Sequence, residues 1–249
     1  MKGIVLAGGL GKRLAPLTAI TNKHLLPVYD RPMICHPIET LARVGIKEIL
    51  LVVGPESAGD FMRLLGNGSA FGLKRLDYAF QEKELGIAHA IGLAEPWVDG
   101  EKMCVMLGDN ILERGIRREI AQFNKQKRGA RVLLKEVPNA RDYGVAEFDG
   151  LNIRRIVEKP KQPRSSYAVV GVYFYDHHVF KIIKGLRPSR RGELEITDVN
   201  NAYIKRHQLT YSIIDGFWAD CGESIDAYLA ANNLMARAHE MQKVRRRVQ

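Results

Sequence analysis

The chain has few cysteines, and they form no pair in sequence. Cys35, Cys104 and Cys221 are an odd count without a C-x-x-C spacing. This argues against a disulfide framework and a cysteine zinc site, and reads as three reduced, mostly buried thiols. Long apolar runs are also missing, since nothing approaches the roughly 20 residues of a membrane span. The apolar run at the N-terminus is short and ends in glycines and basic residues, so no secretory leader is expected and the protein is expected in the cytoplasm. Internal repeats and low-complexity linkers are absent, so the 249 residues read as one compact unit. None of the seven histidines pairs with a Ser or Cys in a nucleophile motif, and there is no G-x-S-x-G. Nothing in the letters announces an activated side-chain nucleophile or a general base.

Charge of one sign is in excess, with a formal net charge of +10. The basic residues are dispersed and spell no nucleic-acid motif, so no nucleic-acid partner is expected. The densest cluster, Lys243–Arg247, lies at the end of the chain and reads as a solvated helix terminus. A positive field also suits an enzyme with two anionic substrates.

What the sequence does have is a glycine loop near its start. Lys2–Ala7 is an apolar run that reads as a buried parallel strand. It leads into Gly8-Gly9-Leu10-Gly11-Lys12-Arg13-Leu14-Ala15-Pro16-Leu17-Thr18, then Asn22-Lys23-His24-Leu25-Leu26-Pro27. Three glycines in four residues let backbone N–H groups approach phosphate oxygens with no Cβ in the way. Arg13 and Lys23 add positive charge. The dinucleotide fingerprint fails because Leu14 holds its third glycine position, and the Walker loop fails because Leu6 and Arg13 hold two of its fixed positions.

The rest of the chain alternates. A helix is expected from Pro32 to about Val44, a strand over Ile46–Val53, a helix near Ser57–Leu65 and a strand over Leu76–Phe80. A helix opened by Gly86 runs to Ala94, followed by strand Met103–Leu107, helix Ile116–Lys127 and strand Arg131–Val137. This pattern predicts an α/β fold with a doubly wound, mostly parallel, Rossmann-like sheet. Ligands bind such sheets beyond the carboxyl ends of the strands, where Gly8–Arg13, Gln81 and Asp109 all fall. From about Tyr143 strands predominate (Tyr143–Phe148, Ile153–Glu158, Ala168–Tyr175), which predicts a smaller mixed element laid over the nucleotide half. Helices follow at Val179–Lys184 and at Leu194–Arg206, the latter capped near Ser189–Gly192. Strands Leu209–Ile214 and Phe217–Ala219 come next, and one long helix from about Ser224 ends in charge. The two halves span about residues 1–140 and 141–223, and the C-terminal helix about 224–249.

Asp109 follows an apolar strand and precedes Asn110. Asp220, in Phe217-Trp-Ala-Asp-Cys-Gly222, has the same placement. Either alone could be a helix cap or turn residue. Converging near a phosphate loop, the two would make a site for a hard cation such as Mg²⁺. In Glu158-Lys159-Pro160 the Lys could meet a second anion and the Glu could accept sugar hydroxyls, though a surface ion pair has the same letters. His177-His178 reads as a turn or helix start.

Taken together, G-G-x-G-x-R-L-x-P-L-T and the following K-x-L-L-P resemble the sugar-1-phosphate nucleotidyltransferases. The stretches N-K-H-L-L-P-V, Y-A-V-V-G-V-Y-F-Y-D and R-G-E-L-E-I-T-D are similar to those of the glucose-1-phosphate thymidylyltransferase family, in its order and spacing. The resemblance implies the reaction dTTP + α-D-glucose 1-phosphate → dTDP-glucose + pyrophosphate, Mg²⁺ as cofactor, and a dimer or tetramer. It places Leu6, Gly8, Gly9 and Gly11 along the nucleotide. Arg13 falls on the leaving phosphates, Lys23 on the α-phosphate, and Gln81 and Gly86 at the pyrimidine edge. Asp109 and Asp220 would hold the metal. Asn110, Gly144, Glu158 and Val169 would take the sugar and Lys159 its phosphate.

A sugar phosphate, with a second pKa near about 6, is already mostly dianionic at pH 7. Direct displacement without a base or covalent intermediate is therefore expected. Three departures from the family stand out: Val170 where Thr is usual, His89 where Gln is common, and Cys221 where Thr or Ala is usual. The chain also stops short of the family's longer members and resembles the short form, so the regulatory nucleotide site of the longer C-terminal segment is not expected. Two rival readings are the same reaction with another pyrimidine triphosphate such as UTP or another hexose 1-phosphate, and a non-catalytic sugar-nucleotide sensor. A sensor would not need both metal carboxylates.

Overall fold

The computed structural model describes residues 1–248, and of residues 242 and 244–248 the backbone only. The side chains of the basic cluster at the C-terminus therefore lie, apart from Lys243, outside the described residues. In chain order the first elements are β1 (Lys2–Ala7), β2 (Pro27–Val28), β3 (Arg31–Pro32), α1 (Cys35–Arg43), β4 (Glu48–Val53), α2 (Ala58–Leu65) and β5 (Arg75–Phe80). Then come α3 (Ile87–Gly92), α4 (Glu95–Val98), β6 (Met103–Leu107), β7 (Asn110–Leu112), α5 (Arg117–Lys125) and β8 (Ala130–Glu136). The second half holds β9 (Gly144–Asp149), β10 (Asn152–Glu158), β11 (Tyr167–Tyr175), α6 (His178–Lys184), α7 (Ile196–Lys205), β12 (Leu209–Ile213), β13 (Trp218–Asp220) and α8 (Ile225–Val248).

The α/β fold with its central, mostly parallel sheet is the one expected. β6, β1, β4 and β5 lie side by side and parallel. Alternate residues of β1 feed opposite faces: Ile4 and Leu6 join a core with α3, α6 and α7, while Val5 and Ala7 join one with α1, α2 and α5. Burial on both faces is why Gly3–Ala7, Ile49–Val53 and Met103–Leu107 read as apolar runs, while the edge strand β5 is largely uncovered and carries Arg75 and Asp77.

The later strands depart from expectation. They are not laid over the nucleotide half but continue the same nine-stranded sheet, in the order β10-β9-β11-β6-β1-β4-β5, with β8 and β12 joined through β11. β11 pairs with β8 along one edge. Its other edge is shared: Val172–Tyr175 pair with β6, and Ala168 pairs with β9. The carboxyl end of β6 and the amino end of β9 thus abut the same strand with a gap between them at Val169–Gly171. Asn110, just past β6, reaches into that gap, where its Oδ1 accepts the Gly171 N–H at 3.0 Å.

Smaller boundary differences have local causes. Pro32 sits in β3, paired with Pro27, and α1 instead carries Pro37 in its first turn, where a missing N–H costs nothing. The helix after Gly86 stops at Gly92, and a separate α4 carries Pro96 in its first turn. α7 starts at Ile196 because Leu194 is tied across to the start of α3, donating to Leu85 O and accepting from Ala88 N, and Glu195 at the cap is extended. No hydroxyl caps it: Ser189 Oγ bonds Glu195 Oε1 instead. β7, unpredicted, pairs with β13. α8 starts as expected, with Ser224 Oγ accepting the Ala227 N–H. No described helix is long and apolar enough to cross a membrane.

Candidate active site

The gap beside β11 and the carboxyl ends of β1 and β6 open into one cleft of about 360 Å³, within the size range of small-ligand sites. Every sequence-predicted site residue except Gly11 lines it. Gly8, Gly9 and Arg13 come from the loop after β1, and Lys23 from the next turn. Gln81 and Gly86 flank the β5–α3 loop. Asp109 and Asn110 follow β6, Gly144 opens β9, Glu158 ends β10 and Lys159 follows it, Val169 lies in β11 and Asp220 ends β13.

Gly11 shapes the loop from outside the cleft. Its φ is +69°, and a Cβ there would lie 2.7 Å from the Cβ of Lys23. Only glycine allows both that backbone conformation and that approach. The Lys23 turn is held in place by Asn22, whose Oδ1 accepts the His24 N–H and meets His24 Nδ1 at 2.8 Å. His24 is fully enclosed; burial first and the neighbouring ammonium of Lys23 second push its pKa down to about 3. It is a neutral structural ring and no general base at pH 7.

The electrostatic centre is Lys23 with Asp109 and Asp220. Lys23 Nζ donates to Asp109 Oδ2 at 2.6 Å, and the two side chains are only 12% and 8% exposed. Burial alone would lower the Lys23 pKa and raise that of Asp109. Their mutual attraction and hydrogen bond reverse both shifts, holding the ammonium up and the carboxylate down. Asp220 behaves oppositely. Burial first and the charge of Asp109 second raise it to about 7. Its Oδ1 accepts the Gly222 N–H at 3.0 Å, and among the described residues it has no ion-pair partner.

Lys23 is thus paired with Asp109 and acts on Asp220 only through its charge. The donor set of the two carboxylates fits Mg²⁺, which takes one or two carboxylates and completes its shell with water and substrate phosphates. Among the described residues there is no group of three or more His, Cys, Asp or Glu that could hold a metal alone, consistent with a site finished by substrate.

On the side of β7 and β13, Asn110 is committed to the scaffold: its Oδ1 also accepts from Trp218 Nε1 at 2.7 Å, and its Nδ2 donates to Asp109 Oδ1. Glu158 Oε2 accepts from Thr197 Oγ1 at 2.7 Å. The loop cation Arg13 makes no ion pair among the described residues, and its guanidinium is exposed beside the cleft.

Several lining residues escaped the reading of the letters, among them Tyr143, Arg191, Thr197 and Trp218. The rings of Tyr143 and Trp218 pack 4.9 Å apart. Trp218 and Thr197 sit in W-A-D-C-G and E-I-T-D, so the motif was visible but not which member faces the cleft.

Gly222 was missed altogether. A methyl there would collide with the Asp109 carboxylate and lie 2.7 Å from Lys23 Nζ. Gly222→Ala is therefore expected to split the ion pair, lowering kcat/KM about a hundredfold and stability by about 2 kcal/mol. Steady-state rates and a denaturant melt check both.

A family model for nucleotidyl transferases matches residues 2–238. The chain is 44% identical to the glucose-1-phosphate thymidylyltransferase of Actinoplanes sp. over 95% of this chain and 78% of that one. With the enzyme of the same name from Neisseria meningitidis it shares 42% identity over 93% and 82%. A crystal structure from Bacillus anthracis, assigned to glucose-1-phosphate thymidylyltransferase and solved with sucrose, superposes with a TM-score of 0.90 at 49% identity, covering 94% of each chain. UDP-glucose pyrophosphorylase complexed with UDP-glucose follows at 0.83 and 25%, covering 95% and 98%. Matched along nearly its whole length, the chain belongs to the nucleotidyl transferase family, among the glucose-1-phosphate thymidylyltransferases.

Proposed function

We propose that the protein joins dTTP and α-D-glucose 1-phosphate to give dTDP-glucose and pyrophosphate, by direct in-line displacement with Mg²⁺ held at Asp109 and Asp220. The observation that carries this reading is the Lys23–Asp109–Asp220 centre facing a glycine loop across one cleft that is lined, among the described residues, by no serine or cysteine. The cleft's histidine, His24, has its pKa pushed down to about 3. Cys221, next to Asp220 in the chain, is buried, and burial first and the charges of Asp109 and Asp220 second hold its thiol protonated. The sugar phosphate, mostly dianionic at pH 7, supplies its own nucleophile.

The protein's task is then to bring two polyanions into line and balance their charge. Residues 1–140 hold the nucleotide and residues 141–223 the sugar phosphate. The Gly8 and Gly9 backbone admits the triphosphate closely. Arg13, with no competing carboxylate, takes the departing β- and γ-phosphates. Lys23 lies at the α-phosphate, held by Asp109 where charge accumulates. Gln81 and Gly86 face the base. Asn110, Gly144, Glu158 and Val169 surround the hexose, and Lys159 meets its phosphate. Bound at the two aspartates, Mg²⁺ supplies charge neutralisation to the triphosphate. The protein acts in the cytoplasm as a homo-oligomer, dimer or tetramer.

The test is pyrophosphate release with Mg²⁺ over a grid of dTTP, UTP, CTP, ATP and GTP against glucose, galactose and mannose 1-phosphates. Rates led by dTTP with glucose 1-phosphate support the reading. Another leading pair corrects the substrate, and silence across the grid turns the weight to a sugar-nucleotide sensor. A nucleotidylated enzyme or ping-pong kinetics would overturn the direct displacement.

A further inference from the structure

Gln81 lies just past β5, its backbone N–H fixed on Val53 O at 2.9 Å. Its buried side chain ends between two groups, with Nε2 3.2 Å from Gly86 O and 3.0 Å from His89 Nδ1. A carbonyl can only accept, so the corner facing Gly86 must be the NH₂ end of the carboxamide. The same nitrogen faces His89, so His89 Nδ1 must also accept, which requires a neutral ring carrying its proton on Nε2. That leaves Oε1 for the cleft. It points at the glycine loop, where a Cβ on Gly8 would come within 3.0 Å of it. No donor among the described residues reaches it.

Gly86 alone is a weak anchor. Its carbonyl already takes the Ala90 N–H at 3.2 Å, so the bond from Gln81 is shared. Its position, however, is firm: a Cβ on Gly86 would meet Leu194 O at 2.5 Å, and Leu194 is bonded to both Leu85 and Ala88. The second anchor is the residue at which this chain departs from the common Gln.

We propose that His89 is a positioning residue that fixes the direction of the Gln81 carboxamide, so that the cleft presents an acceptor to the N3–H of thymine or uracil and disfavours cytosine. Thymine and uracil carry a proton on N3, whereas cytosine carries a lone pair there. An oxygen at Gln81 matches the first two and leaves two acceptors facing each other with the third. A desolvated mismatch of this kind discriminates more strongly than a missing contact. Turning the amide over would reverse the preference. This rests on the proposed placement of the base at Gln81.

The test compares dTTP and dCTP binding by calorimetry with Mg²⁺, together with initial rates, in the wild type and in His89→Gln, His89→Leu and His89→Lys. The wild type should prefer dTTP. His89→Gln, whose own amide oxygen can accept from Gln81, should keep the preference. His89→Leu should reduce it by about tenfold. His89→Lys, a donor only, should draw Oε1 toward itself and reduce it further, with the loss for dTTP appearing in KM more than in kcat. A purely structural role would lower the melting temperature and weaken both nucleotides alike.

An unchanged dTTP-to-dCTP ratio in His89→Leu and His89→Lys overturns the proposal, as does equal binding of the two by the wild type. A wild type that prefers dTTP in binding but releases no pyrophosphate would sink the enzymatic reading and leave this one standing.

Discussion

Asp109→Asn is expected to lower pyrophosphate release by about a thousandfold or more while leaving a folded protein. The two outcomes separate because of what surrounds the residue. Removing its charge takes away one of the two carboxylates facing the cleft and the close hold on Lys23. The ammonium does not become an orphan, because Asp220 already acts on Lys23 electrostatically. The charge of Asp109 is also part of what raises the Asp220 pKa to about 7. With that charge gone, Asp220 ionises and takes over as counter-ion. The remaining cost is local: an Asn can accept from only one of the two donors, Lys23 Nζ and Asn110 Nδ2, that Asp109 serves now. That amounts to about 1–3 kcal/mol. The measurements are rates with dTTP and glucose 1-phosphate beside a urea melt. Wild-type activity in a folded Asp109→Asn would sink the proposed mechanism, and loss of folding would contradict the compensation by Asp220.

The parts of this arrangement that could be read from letters are those set by local rules. β6 and β1 from Gly3 onward carry no polar side chain because both faces are covered, and a strand followed by glycine or Asp places those residues at the ligand edge of a parallel sheet. What could not be read was pairing. Nothing in Tyr167–Tyr175 says that one edge is divided between β6 and β9, because the change of partner between Ala168 and Val172 is marked by no residue type. The cleft is a product of that division, and Asn110 bridges it from sixty-one residues away. Gly222 was equally hidden. Its need for a bare Cα comes from Asp109 and Lys23, remote in the chain, and not from its own backbone angle. Tyr143 and Trp218 have the same difficulty, since aromatic residues beside strands are more often core than cleft wall. His89 could be seen as an unusual residue in its place, but its partner, the Gln81 amide, could be identified only in space.

Lys23→Met should have the largest combined effect. It leaves Asp109 buried with Asp220 nearby and no ammonium between them. Breaking a buried pair by removing one partner costs about 3–5 kcal/mol, and the neighbouring Asp220, no longer drawn toward ionisation by Lys23, offers Asp109 no compensating charge. Arg13 cannot substitute well, because its side chain is exposed at the mouth of the cleft. Activity should fall by about a thousandfold as well, with the loss of the cation proposed to meet the α-phosphate.

The double variant Lys23→Met with Asp109→Asn separates the two roles. Replacing both charges by neutral groups of similar size removes the uncompensated carboxylate, so most of the lost stability should return. Activity should not return, because neither the cation nor the carboxylate is restored. Melts and rates across the four proteins of this cycle should therefore give a large positive coupling in stability and none that rescues turnover. If the double variant is as unstable as Lys23→Met alone, the pair does not act as a buried ion pair. Recovered turnover would instead mean that charge at Lys23 and Asp109 is dispensable for the chemistry.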